Sequence, residues 1–303
     1  MTVSTSNTPA LTIVVPSVNG LGDLVPCLNA LNALRSRTAT EVLVVDRLGG
    51  EVADTVRAKY PWAVLLPMPR TSTIPQMRDA AFRAATADAV AVIEDYVIVP
   101  PEWGERLLAV LAEGYDVAGG PIDNAATDRL LDWATFLCEY SACLPPLPEG
   151  AAEWLPGNNV VYRRSVLQRY LPVTAQGAWE NRLHDAMRAD GVRLECRSNL
   201  LVGHKKHFGL LEYMGQRYLY SRSYAGARVQ SASLVKRLAT GAAAFALPPL
   251  LLLRITRSLM AKGVPTPRVL ATLPFIGTFA VSWGLGEVVG YWFGAGDALA
   301  RVR

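Results

Sequence analysis

Four short apolar runs recur through the first hundred positions: LTIVVP at 11–16, EVLVVD at 41–46, AVLLP at 63–67 and AVAVIED at 89–95. Between them the spacing turns helical. Asp23 to Arg35 sets Leu24, Leu28, Leu31 and Leu34 three or four apart, residues 50–59 read as helix, and Pro75 to Ala87 puts Met77, Ala81 and Ala84 on one face. Runs that are apolar on nearly every side chain are buried on both faces. Strand and helix alternating in this way predict a mostly parallel, Rossmann-like α/β sheet flanked by helices.

In such sheets ligands bind beyond the carboxyl ends of the strands. That rule selects Ser17 and Asn19 after the first strand, Asp46 after the second, and Glu94 with Asp95 after the fourth. Further on, DVAGG at 116–120 reads as a strand and CLPPLPEG as a proline-rich link. RLECRSNLLV is strand-like, and GAWENRLHDAMRADG is a helix with Glu180, His184 and Met187 on one face. Repeats of 20 to 50 residues are absent, and only the first few residues read as disordered.

The chain is 51% hydrophobic and 18% charged, where a soluble domain carries about a quarter charged residues. A net charge of +4 without a basic, aromatic-studded patch argues against nucleic-acid binding. Cys27, Cys138, Cys143 and Cys196 show neither CxxC nor zinc-like spacing and are expected to be reduced and buried. The polar start MTVSTSNTPA lacks the pattern of a secretory signal, so the front domain is expected to stay in the cytosol.

The C-terminal part is different. Leu238 to Leu253 is 16 uncharged residues interrupted by Pro248 and Pro249, and Val269 to Gly286 is 18 uncharged residues followed by Tyr291, Trp292 and Phe293. Lys236 and Arg237 precede the region, Arg254, Arg257, Lys262 and Arg268 divide it, and Arg301 and Arg303 follow it. A plain two-span hairpin would carry the central group across the bilayer against the positive-inside rule, so a re-entrant or interfacial tail with its bend at Pro248-Pro249 is expected. Two core helices at a homo-oligomer interface would bury the same side chains.

Sugar transfer from a nucleoside diphosphate needs the leaving pyrophosphate neutralised, commonly by a divalent cation on acidic oxygens. Glu94 and Asp95 offer such a pair, or simply a cap. An inverting transfer also needs a carboxylate base on the acceptor hydroxyl, and Glu180, opening its helix after Trp179, is the candidate. A first-turn glutamate that complements the helix dipole reads the same way. His204 and His207 in GHKKHFG suit a metal ligand, a phosphate site with Lys205 and Lys206, or a solvated basic turn. Asn158 and Asn159, after Gly157, carry amides suited to sugar hydroxyls, although a turn would use the same residues.

VVPSVNG at 14–20, VVD at 44–46, the helix holding Arg78, IEDYVIVPPEW at 93–103, PGNNVVYRR at 156–164 and WENRL at 179–183 together resemble a family 2 glycosyltransferase of GT-A fold, of the membrane-associated bacterial type. The resemblance runs over roughly the first 220 residues. It implies that Pro16, Ser17, Asn19, Asp46, Arg78 and Asp95 line the nucleotide pocket, with Arg78 near the diphosphate. It also implies Mn or Mg on Glu94, Asp95 and His204, donor sugar and acceptor at Asn158, Asn159 and Trp179, and catalysis by Glu180 or Asp185. The sequence departs from the family in three places. Tyr96 stands where the third position of DxD is usually acidic, Glu180-Asn181 replaces the usual Glu-Asp, and QxxRW is absent, which favours single-sugar transfer over polymerisation.

The expectation is a GT-A domain over residues 1–230 and a helical tail over 231–303, acting at the cytoplasmic face of the cell membrane. Its partners would be a nucleotide-sugar donor and a lipid or lipid-linked acceptor. A transferase on a soluble acceptor, its tail an oligomer interface, and a catalytically silent nucleotide-sugar- or partner-binding module are the alternatives.

Overall fold

A computed structural model describes residues 8–177 and 179–303. The start read as lacking a secretory signal, and the expectation of disorder over the first few residues, fall largely outside the described residues, which begin at Thr8. The chain forms two compact units. One holds the chain up to Asp123 together with Pro145–Lys205, and the other holds Asn124–Leu144 with Lys206–Arg303.

In the first unit the four apolar runs become the strands Leu11–Ser17, Thr40–Asp46, Ala63–Pro67 and Ala89–Val92, paired in parallel with Leu11–Ser17 between Thr40–Asp46 and Ala89–Val92. Leu11, Ile13, Val14 and Val15 are fully buried, as runs without a polar face require. The sheet continues with Val160–Arg163, antiparallel to both Ala89–Val92 and Val117–Gly119, and ends with Leu194–Cys196 and Gly150–Ala152. A mostly parallel sheet is therefore the outcome, with Val160–Arg163 as an antiparallel insert and Gly150–Ala152 as an antiparallel edge.

Three boundaries differ from expectation for local reasons. The fourth strand stops at Val92, because the chain turns at Glu94, whose carbonyl accepts from Val97 N at 3.0 Å. Glu94 and Asp95 thus lie on a loop beyond the strand. The helix expected over 75–87 spans Ile74–Ala84, opened by Thr73 in a capping box with Gln76 and by Pro75 in its first turn. RLECRSNLLV splits into Leu194–Cys196 and Val202–His204, the latter pairing with Val97–Ile98.

The second unit contains a helix that the sequence pattern did not announce, Leu130–Tyr140, whose N-cap Arg129 makes no side-chain cap bond. Helices Leu210–Arg228, Leu234–Ala243, Leu247–Ala261, Thr266–Phe293 and the short Ala298–Arg301 follow. A 3-10 turn at Ala244–Ala246 joins the middle two, and Pro248 and Pro249 sit in the first turn of Leu247–Ala261, where a missing N–H costs nothing. Gly286 approaches Leu210–Arg228 so closely that a Cβ there would lie 2.0 Å from Ser221 Oγ.

Leu210–Arg228 and Leu130–Tyr140 therefore belong with the tail, and the compact units do not divide at residue 230. Tyr213 is the reason: fully buried, it packs on Phe279 at 4.5 Å and donates to Thr135 O at 2.9 Å. Leu234–Ala261 and Thr266–Phe293 are long and apolar enough to cross a membrane, with mean hydropathy 1.7 and 1.5 over their most apolar windows. The four cysteines form no disulfide among the described residues; Cys27, Cys143 and Cys196 are buried and Cys138 half-buried.

Candidate active site

The candidate residues lie in the first unit, except Lys206 and His207, which belong to the second, where His207 Nδ1 lies 3.0 Å from Asp132 Oδ2; two buried carboxylates on one loop organise the site. Asp95 turns back to the chain leaving the first strand, accepting from Val18 N at 2.8 Å, Asn19 N at 2.9 Å and Asn19 Nδ2 at 2.6 Å. These bonds oppose the burial that raises its pKa, so Asp95 and Asn19 form one rigid corner. Pro16 and Ser17 precede that corner, and the buried Ser17 Oγ has no hydrogen-bond partner among the described residues.

Glu94 faces the other way, onto Arg78. The guanidinium bridges two carboxylates, pairing with Glu94 Oε1 through Nη2 and with Glu180 Oε2 through Nη1 at 2.8 Å. Burial pushes Glu94 up to about 7 against the pull of Arg78, and the charges of Asp95 and Glu180 add to the rise. Its second oxygen, Oε2, is buried without a hydrogen bond among the described residues. The Glu180 side chain is 24% exposed, reaching Arg78 on the inside and solvent on the outside.

Gly157 explains how Glu180 fits. A Cβ built there would meet Glu180 Cδ at 2.4 Å, so the glycine provides the slot that the carboxylate occupies. Arg78, Glu180, Gly157 and Tyr162 line a cavity of about 20 Å³. Tyr162 Oη lies 2.8 Å from His184 Nε2, and burial lowers the imidazole pKa to about 4, so His184 is neutral at pH 7. Tyr162 and His184 were not among the site residues expected. The four-residue interval from Glu180 to His184, one helical turn, was the signal for the second of them.

The remaining expected residues are placed differently. Asp46 closes a turn by accepting from Leu48 N at 3.0 Å and Gly49 N at 2.9 Å. Asn159 is tied into the protein: its Nδ2 donates both hydrogens, to Pro121 O at 3.0 Å and Leu200 O at 2.7 Å, and its Oδ1 accepts from Trp103 Nε1 at 3.2 Å. Asn158 is buried, and Trp179, also buried, caps the Glu180 helix. Asp185 points to solvent, its side chain 66% exposed, and does not join the Arg78 cluster.

The ligand set Glu94, Asp95 and His204 is likewise not gathered. Among the described residues no three His, Cys, Asp or Glu side chains cluster as a metal cage. Arg78 and the Asn19 corner draw the two acids apart, and His204 is buried with its ring 4.7 Å from that of Tyr96, the residue at the third DxD position. Glu94 Oε2, buried without a hydrogen-bond partner among the described residues, is the oxygen here that suits a cation whose shell substrate phosphates would complete.

The profile described as Glycosyl transferase family 2 matches residues 12–171. Human "Probable polypeptide N-acetylgalactosaminyltransferase 8" is 26% identical over 136 residues, covering 41% of this chain and 21% of that protein. The match thus spans about a fifth of the curated relative's length. Among solved structures, the mannosyltransferase PcManGT from Pyrobaculum calidifontis, in complex with GDP-Man and Mn2+, aligns over 91% of this chain and 87% of its own. Its TM-score of 0.53 at 16% identity is a likeness of fold.

Proposed function

The chain belongs to glycosyl transferase family 2, and from that membership we propose that it transfers a single sugar from a nucleotide-diphosphate-sugar donor to a lipid or lipid-linked acceptor at the cytoplasmic membrane face. The observation that carries the reading is the placement of Glu180, paired with the buried Arg78 yet 24% exposed to solvent, beside the loop after the fourth strand that bears the acid pair. A carboxylate so held can take the proton of an acceptor hydroxyl as it attacks the anomeric carbon. GDP-Man and Mn2+ in the mannosyltransferase of similar fold support a nucleotide-sugar donor and a divalent cation for this chain too. When bound, the cation would neutralise charge on the departing diphosphate. Glu94, through its Oε2, is the residue to hold it.

The second unit supports a tail lying along the membrane surface. Leu210–Arg228 runs beside the later half of Thr266–Phe293, with Ser282 Oγ donating to Met214 O at 2.6 Å and Arg228 pairing with Glu287 at 3.3 Å. An upright span would carry Arg217, Arg222, Arg228 and Glu287 into hydrocarbon, which is costly. A site held at the lipid surface shares a plane with a lipid acceptor, which favours their encounter.

The test is a thermal-shift and turnover screen of the full chain against UDP-, GDP-, TDP- and CMP-sugars, with and without Mn2+ or Mg2+. Cation-dependent stabilisation by one donor, with sugar transfer to a lipid extract, is expected. Tight nucleotide binding without turnover of any donor would replace this reading with the silent module.

A further inference from the structure

Leu234–Ala261 carries three faces. Gly241, Ala244, Ile255 and Leu259 are buried against the unit. Beside them Leu238, Phe245, Leu253 and Met260, recurring every seven or eight residues, form an apolar stripe that is 46% to 60% exposed. Arg254 and Arg257 follow on the next side of the helix, both exposed. Only 17% of the most apolar window of this stretch is buried, against 44% in Thr266–Phe293.

The charge around the stripe has one sign. From Tyr213 to Gly286 the sequence contains nine Lys and Arg and neither Asp nor Glu. Several of these cations are already committed. Arg217 pairs with Glu139 and Arg228 with Glu287. Arg237 donates to the carbonyls of Tyr291 and Trp292, Lys262 to those of Ala142 and Leu144, and Arg268 lies 3.8 Å over Trp133. Lys236, Arg254 and Arg257 are left exposed, without an acidic partner among the described residues.

We infer that this face docks on an anionic lipid bilayer, with the Leu238–Phe245–Leu253–Met260 stripe at the acyl boundary and Arg254, Arg257 and Lys236 on headgroup phosphates. The inference rests on the membrane-surface reading above and adds the chemistry of the lipid. A second copy of the chain fits less well, because a two-fold contact would set the same unneutralised arginines against each other.

The test is flotation of the full chain, diluted from mild detergent, with vesicles of phosphatidylcholine alone or with a third phosphatidylglycerol, at low and high salt. Partitioning should be much stronger on the anionic vesicles and weaken with salt. Each arginine should contribute about fivefold, so the Arg254→Gln/Arg257→Gln variant should lose about 25-fold on anionic vesicles and little on neutral ones. Phe245→Ser should weaken binding to both. Equal, salt-insensitive binding to both vesicle types would overturn the lipid selectivity and leave membrane attachment standing; binding to neither would overturn both. A Phe245-dependent dimer that excludes vesicles would assign the face to a second copy instead.

Discussion

The carboxylate of Glu180 occupies the volume that any side chain on Gly157 would fill. The two residues come from different segments, a turn before the strand Val160–Arg163 and the first turn of the helix Glu180–Ala189. Because the atoms in the way are the far end of a flexible side chain, Gly157→Ala should fold and move Glu180 instead of unfolding the chain. A displacement of about 1 Å costs roughly 100-fold in rate. The expected result is a loss of kcat of that order with a thermal midpoint close to wild type; unchanged kcat would show that Glu180 need not sit in this slot.

Glu180→Gln keeps the shape and removes the base. It should lower kcat by about 10²- to 10⁴-fold while donor affinity, read by nucleotide titration, stays near wild type. A parallel loss of nucleotide affinity would instead mark Glu180 as a binding residue.

Arg78 bridges two carboxylates at once, so its loss should be felt by the whole unit. Arg78→Met leaves Glu94 buried without its cation, a change that costs about 3–5 kcal/mol when a buried pair is broken. Adding Glu94→Gln to that variant should return part of the loss, because it removes the orphaned charge. Denaturant unfolding of the two variants measures the difference, and equal stabilities would show that Glu94 is neutral in either background.

The strands and the rim were legible because a two-face-buried strand leaves its mark in consecutive residues, and Leu11–Ser17 or Ala63–Pro67 need no distant information. The pairings at the site were not. Arg78 meets Glu180 across 102 positions and Val18 meets Asp95 across 77, so which acid Arg78 would bridge is a matter of tertiary geometry. Asn159 illustrates the same limit: an amide after glycine suits a sugar or a buried crosslink equally, and only the carbonyls of Pro121 and Leu200 select the second. Leu130–Tyr140 escaped because its start carries no capping side chain.

That crosslink is itself testable. Asn159→Ala strips buried partners from two carbonyls and the Trp103 indole, each costing about 1–3 kcal/mol when left unsatisfied. The variant should be markedly less stable, and its folded fraction should retain the wild-type KM for donor. A raised KM in fully folded protein would restore the sugar-binding role.

His184 supplies the pH dependence. Its pKa falls from an ordinary 6.5 to about 4 in the folded protein, because burial beside Tyr162 penalises the imidazolium. Between those values the unfolded chain binds the extra proton and the folded chain does not, so this group's stabilising contribution is present above pH 6.5 and is lost as pH falls toward 4. The full shift corresponds to about 3 kcal/mol. Glu94 works in the opposite sense, since a carboxyl raised to about 7 when folded loses stability as pH rises from its unfolded value of 4.5. The two slopes overlap, so the wild-type curve alone is uninformative and the difference from His184→Gln is the useful quantity. Unfolding free energies of both proteins, measured from pH 4 to 7, should diverge in favour of wild type as pH rises to 6.5 and then run parallel; a constant difference would mean that His184 titrates normally in the folded state.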